Sequence, residues 1–476
     1  MADATALDIG DQSTPPHLGR PHRLPRLRSR QRLEGAMMPQ QSSLLFGNIA
    51  GEFLPTVSHG QGVHLFDLDG NRYFDGCCGA ITANLGHGDA IIADAIRNQA
   101  AAVAFAYRGQ FTNQPAERLA EIVCDQVHPE LQSLFLVSSG SEAVESAAKL
   151  ARQYWVERGH PERHRILSRA GSYHGATLGA LSLSGHPPRR ETWEPVLHHE
   201  PPLPQPSCFR CPLSLEPATC GLACADEIEA ALERQSGEVA AVIVEPVIGA
   251  AGGAITPPSG YLRRVADACQ AHDVLLIADE VMTGAWRTGP FLAADHDGVV
   301  PDLVTLGKGL ASGYSPLAGV LVGGQIRDTI ERGSGFFVHG HTHAFNPISA
   351  AAGVAALERA IELGVPDNVG PRGEQLRAGL MSLAERYPCV GDVRGRGLLL
   401  GIEFIEPGSQ RLPFGDAPHG TTAVVNAAKA AGLLIYPSGV GDTTAVIIAP
   451  PLTITSSEVD ELLDLLDLSL QHLTDT

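Results

Sequence analysis

Between residues 134 and 322, short apolar runs alternate with stretches whose apolar positions recur every three to four residues. Runs at 134–137, 165–167, 239–244, 274–278, 302–306 and 318–322 have the length and composition of buried strands, and 142–156 and 261–272 read as amphipathic helices. Alternation of this kind predicts an α/β fold on a mostly parallel central sheet, covered on both faces. Ligands in such sheets bind at the carboxyl ends of the strands, so the polar residues that end each run are the first candidates for chemistry. From about residue 350 the pattern changes to an Ala-rich helix at 350–363, a strand at 397–404, a helix near 422–431 and a closing helix from Ser457. The expected division is a large domain at 96–345 and a smaller α+β domain at 346–476 that residues 41–95 join. Residues 1–40, rich in Pro and Arg and without apolar periodicity, predict a flexible arm.

Charge narrows the partners. Lys and Arg total 34 against 53 Asp and Glu, a net charge of −19 that repels nucleic acid and anionic membrane surfaces. No apolar run approaches the roughly 18 residues of a membrane span; Glu245 and Asp279 interrupt the strongest ones. Asp3, Asp8 and Asp11 stand where a secretory leader would be basic and then apolar, which predicts a cytoplasmic protein. A transit peptide is the alternative reading of the arginines between Arg20 and Arg32. Nine cysteines in 476 residues do not make a disulfide scaffold. Cys208, Cys211, Cys220 and Cys224 have a spacing that could close a thiolate zinc site, but packed free thiols in a Pro-rich loop are the reading adopted, and no metal is expected.

The chemistry gathers at four strand ends. The run 274–278 delivers Asp279 to the end of a buried strand, where a carboxylate requires a cationic partner. The run 302–306 delivers Lys308 between two glycines, 29 residues after Asp279, the length of about one strand-helix-strand unit, which places the two side chains on neighbouring strands facing one crevice. After 134–137 comes Ser138-Ser139-Gly140-Ser141-Glu142, a capping-box helix start that can equally cradle a phosphate. After 165–167 comes Gly171-Ser172-Tyr173-His174-Gly175, whose ring can lie flat over a planar ligand. A salt bridge, a helix cap and a turn tyrosine explain these pieces singly. Together they meet the demands of pyridoxal phosphate: a lysine for its aldehyde, a carboxylate for its ring nitrogen, a platform, and a cradle formed by Ser139, Gly140 and Ser141. His174 is placed in the same site.

The run from Leu275 to Gly284, with Arg287-Thr288-Gly289 and Gly307-Lys308-Gly309 after it, closely resembles the signature of class III (omega-type) aminotransferases, a family of fold-type I pyridoxal-phosphate enzymes; the likeness extends from about Leu45 to the end. The resemblance implies that Lys308 carries the cofactor, Gly140 and Ser141 bind its phosphate, Tyr173 stacks on its ring, Asp279 pairs with its nitrogen and Val281 packs on its other face. It further implies Glu245 near the cofactor and Thr342 reaching the phosphate of a neighbouring subunit, hence a homodimer with shared sites. His339, His341 and His343 then belong to an interface loop and not to a metal site.

By the same resemblance, Arg394 grips a substrate carboxylate, a task suited to its planar fork. Ala250 stands where some branches carry an acid that neutralises this arginine, and no arginine follows Gly175; the pattern is closest to the omega-amine:pyruvate branch. Phe46 and Tyr107, with Leu45 and Trp286, are candidate substrate-pocket residues. The expected reaction passes an amino group from an amine or amino acid to a 2-oxo acid such as pyruvate or 2-oxoglutarate, in two half-reactions. Racemisation, intramolecular amino transfer or decarboxylation on the same scaffold is the alternative. A non-catalytic binding protein would need a lost lysine, acid or cradle, and each is present.

Overall fold

The computed structural model describes residues 54–474, apart from 236, 416, 440 and 442. The arm expected at 1–40, together with Leu45 and Phe46, lies outside the described residues. The strands are β1 (Val57–Gln61), β2 (His64–Asp67), β3 (Arg72–Asp75), β4 (Leu131–Val137), β5 (Arg165–Leu167), β6 (Val239–Val244), β7 (Leu275–Asp279), β8 (Leu303–Leu306), β9 (Ala318–Gly323), β10 (Val390–Arg396), β11 (Leu399–Phe404), β12 (Leu433–Leu434), β13 (Tyr436–Ser438) and β14 (Thr444–Ile448).

Continuous apolar runs such as Val239–Val244 need cover on both sides, and they receive it. Val239, Val242 and Val244 pack with Ile228, Tyr261 and Val265, while Ala241 and Ile243 turn to Val144, Ala147 and Leu150. The first face is thus closed by helices Ala223–Gln235 and Tyr261–Ala271, and the second by Gly140–Glu157. These strands form a six-stranded sheet of order β4-β9-β8-β7-β6-β5. Strands β5 to β8 run parallel, and β9 is antiparallel to both β8 and β4. The mostly parallel α/β architecture follows, with one reversed strand. That reversal has a simple cause: the short chain between β8 and β9 leaves no room for a crossover, so the strand must turn back.

Two departures from expectation concern connections. Neighbouring parallel strands β7 and β8 are joined without an α-helix; turns and the short 3-10 helix Ala293–Asp297 make the crossover. Gly284, Gly289, Pro290 and Gly298 explain why no helix forms there. Conversely, the 22-residue helix Val365–Arg386 was not expected, because Pro366, Gly370, Pro371 and Gly373 mask its apolar positions, of which Val369, Leu376, Leu380 and Leu383 are buried.

Two four-stranded sheets complete the core, of order β1-β2-β3-β12 and β10-β11-β14-β13. In the first, Leu433 and Leu434 pair in parallel with Phe74 and Asp75, so the early strands and the C-terminal part share one sheet. The strand expected at 397–404 is β11, hairpinned to β10. The helix expected near 422–431 spans Ala417–Ala430, and the closing helix spans Ser456–Thr474. Among the described residues, no helix is long and apolar enough to cross a membrane.

Candidate active site

Strands β7 and β8 deliver the acid and the amine side by side. Asp279 closes β7 opposite Thr305 of β8, and Lys308 follows two residues after β8 ends. Lys308 opens a 3-10 turn with φ of +43°, a left-handed conformation that a lysine rarely adopts and that neighbouring structure must hold in place. Lys308, Asp279, Tyr173, His174 and Glu245 all line one cavity of about 300 Å³, as do Ser139 to Ser141 and Val281. Burial pushes the Lys308 amine down to about 8, against the pull of Asp279 and Glu245, which favour its charged form.

The partner that a buried carboxylate demands is an imidazole. Asp279 Oδ2 lies 2.7 Å from His174 Nδ1, whose side chain is fully buried. Thr305 donates its hydroxyl to Asp279 Oδ1 at 3.0 Å, and the Val281 amide donates to the same oxygen at 3.2 Å. Both oxygens are therefore oriented, and His174 Nε2 is left buried without a partner. Thr305 was missed from the sequence, although the one polar residue inside a buried four-residue run was a usable signal.

Glu245 braces the cavity from the end of β6. Its two oxygens accept from the amides of Tyr173 at 3.0 Å and Gly249 at 2.9 Å, tying two cavity loops together. Burial raises its pKa, and the nearby Asp279 charge adds to the rise while His174 opposes it. Tyr173 packs against Ile248, Ala251 and Ile255 and carries the Arg189 guanidinium 4.6 Å from its ring centre.

The opposite wall is the start of helix Gly140–Glu157. Ser139 caps it by accepting from the Glu142 amide at 3.2 Å, and Glu142 reaches back to the Ser138 amide at 2.7 Å. Ser141 Oγ accepts from the Ala176 amide, which fastens the Tyr173 loop to this wall. Gly140 packs tightly here, since a Cβ on it would lie 2.8 Å from Val281 Cγ1 and one of the two would have to shift. The first turn thus presents amides and the positive end of a five-turn helix to the cavity.

Other expected site residues lie elsewhere. Tyr107 is exposed and does not line the cavity. Trp286 is buried in the main core against Phe291. Thr342 is exposed on the chain before helix Pro347–Glu362. In that segment His339 Nε2 bonds Ser146 and its Nδ1 faces Lys149, and burial pushes its pKa down to about 4, helped by the Lys149 charge. Arg394 also stays outside the cavity, its guanidinium engaged by Glu403, Asp392 and the carbonyls of Gly252 and Gly253. Ala250 does line the cavity, and β11 supplies through Glu403 the counter-charge that position 250 lacks. Thr82 and Ser315 to Leu317 also line the cavity and were not anticipated, because only the fold brings their segments to the strand ends; Met282, just beyond Asp279, lines it too.

Cys208, Cys211 and Cys220, in the loop before helix Ala223–Gln235, and Cys224, in its first turn, line one small pocket. Burial raises the Cys208 thiol and pushes Cys224 up to about 11, with neighbouring thiols adding to both. Among the described residues, no three His, Cys, Asp or Glu side chains are placed to hold a metal ion.

Known proteins resemble this chain over most of its length. The family model described as "Aminotransferase class-III" matches residues 47–470. The uncharacterized aminotransferase YodT of Bacillus subtilis is 42% identical over 86% of this chain and 94% of its own length. An adenosylmethionine-8-amino-7-oxononanoate aminotransferase of Geobacter sulfurreducens is 35% identical over 88% and 92%. Among solved structures, the PLP-bound form of an amine transaminase from an uncultivated Pseudomonas species superposes with a TM-score of 0.84 at 32% identity, covering 93% of this chain and 99% of that one. The fold is accordingly that of the fold-type I pyridoxal-phosphate transaminases, and the chain belongs to the class III aminotransferases.

Proposed function

We propose that this enzyme transfers the amino group of an amine or amino acid to a 2-oxo acid of the pyruvate or 2-oxoglutarate class, by two alternating half-reactions on pyridoxal phosphate held in the cavity described above. The observation that carries the reading is the meeting of a buried lysine amine, shifted to about 8, with an oriented carboxylate at the ends of adjoining strands. The residues fit the cofactor on three counts: a helix start whose Gly140 and Ser141 line the cavity, for a phosphate; an aromatic ring and the apolar Val281 in the same lining; and a carboxylate with both oxygens fixed. When bound, pyridoxal phosphate supplies an aldehyde that takes up an amino group and a ring that accepts electron density.

The chain's own residues do the rest. Asp279, fixed by His174 and Thr305, keeps a negative charge where a ring nitrogen must stay protonated. Gly140 and Ser141 offer amides and helix dipole to the phosphate. Lys308 Nζ, with a lowered pKa, can take a proton from the substrate carbon and return it near neutral pH. Glu245 holds the Tyr173 loop and the Gly249 loop in register around the substrate. Arg394 is the anchor for a substrate carboxylate.

The same reading makes the enzyme a cytoplasmic homodimer in which Thr342 completes the partner's phosphate site. Phe105, Tyr107, Phe111, Phe336 and Val338 are exposed on the two segments that flank this region, and Arg108 ties those segments together by donating to the His339 carbonyl. A cluster of exposed apolar side chains of this kind suits a subunit interface. The test of function is the visible spectrum of the purified protein: a yellow band should bleach on adding an amine donor and return with pyruvate. A colourless protein, or a band indifferent to every donor, would sink the proposal.

A further inference from the structure

Four charged side chains close on one another beside the cavity, and the reading above uses only one of them. Arg394, on β10, donates through Nη1 to Glu403 Oε2 at 2.6 Å and to Asp392 Oδ2 at 2.8 Å. Its Nε and Nη2 donate to the carbonyls of Gly253 and Gly252, both at 2.8 Å. Those glycines stand two and three residues beyond the cavity-lining Ala250, so Arg394 is parked at the rim. Glu403, on β11, is 2% exposed, and its other oxygen, Oε1, accepts from Arg210 Nε. Arg210 comes from between Cys208 and Cys211, in the loop before helix Ala223–Gln235.

Arg210 is half used. Its Nη2 is buried and has no hydrogen-bond partner. Nε and Nη2 share one edge of a guanidinium, spaced to hold both oxygens of a carboxylate at once. At present one prong holds Oε1 while Arg394 holds Oε2. A carboxylate as buried as Glu403 cannot be left with a bare oxygen without a large desolvation penalty. If Arg394 turned to a substrate carboxylate, the unpaired Nη2 of Arg210, on the same guanidinium edge as the Nε that already holds Glu403, is the donor available for the oxygen that Arg394 releases. Asp392, 25% exposed, can exchange its share of Arg394 for water. The charges balance in both arrangements, two cations against two anions before, and Arg394 with the substrate carboxylate after.

We propose that Glu403 is the counter-charge Arg394 leaves when a carboxylate substrate arrives, and that Arg210 then takes both Glu403 oxygens, so that Arg210 is a positioning residue setting selectivity for carboxylate-bearing substrates. The proposal rests on Arg394 being the carboxylate anchor. It follows that Arg210 and Glu403 act in opposite directions: Arg210 frees Arg394, and Glu403 retains it.

The test uses the enzyme reconstituted with pyridoxal phosphate. Calorimetry follows binding of propionate, a carboxylate that cannot react, and single half-reactions compare L-alanine with isopropylamine, which carries a methyl group in place of the carboxylate. Arg210→Gln should weaken propionate and raise the KM for L-alanine by on the order of tenfold, leaving isopropylamine unchanged. Arg210→Lys, which keeps the charge but loses the fork, should shift both in the same direction by less. Glu403→Gln should tighten propionate and lower the KM for L-alanine. Shifts of the same sign for Arg210→Gln and Glu403→Gln, or equal shifts for L-alanine and isopropylamine, would overturn the hand-over. Should Glu403→Gln not fold, the selectivity of the two Arg210 variants decides alone. Arg394→Gln separates the two ideas: if it leaves propionate and L-alanine untouched, the anchor reading fails; if it abolishes both while the Arg210 variants do nothing, only the hand-over fails.

Discussion

Lys308 shows how burial alters an ordinary side chain. Removing its amine from water lowers the pKa to about 8 from 10.5, although Asp279 and Glu245 pull the other way, so burial outweighs two nearby acids. The sign of the consequence is definite: below about 8 the amine is protonated and cannot attack an aldehyde, and above it the free base predominates. The rate of cofactor uptake by cofactor-free protein, read from visible absorbance, should rise with pH through a midpoint near 8; a midpoint near 10.5 would show that the site leaves the amine unperturbed. Lys308→Ala should abolish turnover while the chain still folds, as circular dichroism would show. Asp279→Asn keeps the shape and removes the charge, so kcat should fall by about 10²-fold or more, with KM changing far less. Asp279 and Lys308 were legible because they close or closely follow apolar runs, Tyr173 because it stands in a glycine-flanked turn after one, and Glu245 through the family resemblance. The engagement of Arg394 was not, since Glu403 reaches it from a strand partner, and Glu403 is itself held by Arg210 from a distant loop.

At the scale of elements, two packing contacts position this chemistry. The start of helix Gly140–Glu157 approaches Val281 so closely that a Cβ at position 140 would force a shift, and Gly140→Ala should displace the cavity wall. We expect the dissociation constant for pyridoxal phosphate, measured by fluorescence titration, to rise by about tenfold or more, because small misplacements of a binding wall are costly. Unchanged affinity would mean that the wall gives way without consequence. Further along the same helix, Trp155 is fully buried and donates its indole N–H to the Ala240 carbonyl at 2.8 Å. Trp155→Ala removes that contact and opens a cavity beneath the sheet, and urea unfolding should show a loss of about 3–5 kcal/mol. The sheet strands were readable from composition because they are buried on both faces. The helix Val365–Arg386 and the helix-free crossover from β7 to β8 were not, because local Gly and Pro obscured the first and spacing alone suggested a helix in the second.

The whole molecule adds what no single element holds. If Thr342 serves the neighbouring subunit's phosphate, the variants Lys308→Ala and Thr342→Asp should each be nearly inactive, yet mixing them with subunit exchange should restore activity. Each mixed dimer then contains one site with both native residues. No recovery on mixing, with exchange verified by mass, would place Thr342 within its own subunit's site or outside any site. The amino-acid sequence alone determined the class of fold and the family, and it pointed to the lysine, acid and helix start of the proposed site, because strand ends, helix starts and a long signature are local in the chain. Tertiary structure decided what those residues touch: an imidazole as the partner of Asp279, a threonine from the next strand as its second support, and a β11 carboxylate as the anion beside Arg394. Those partners lie between 9 and 105 residues away along the chain. Local pattern carries no record of which side chains meet across such distances, whereas burial leaves each charge little choice but the partner the fold brings to it.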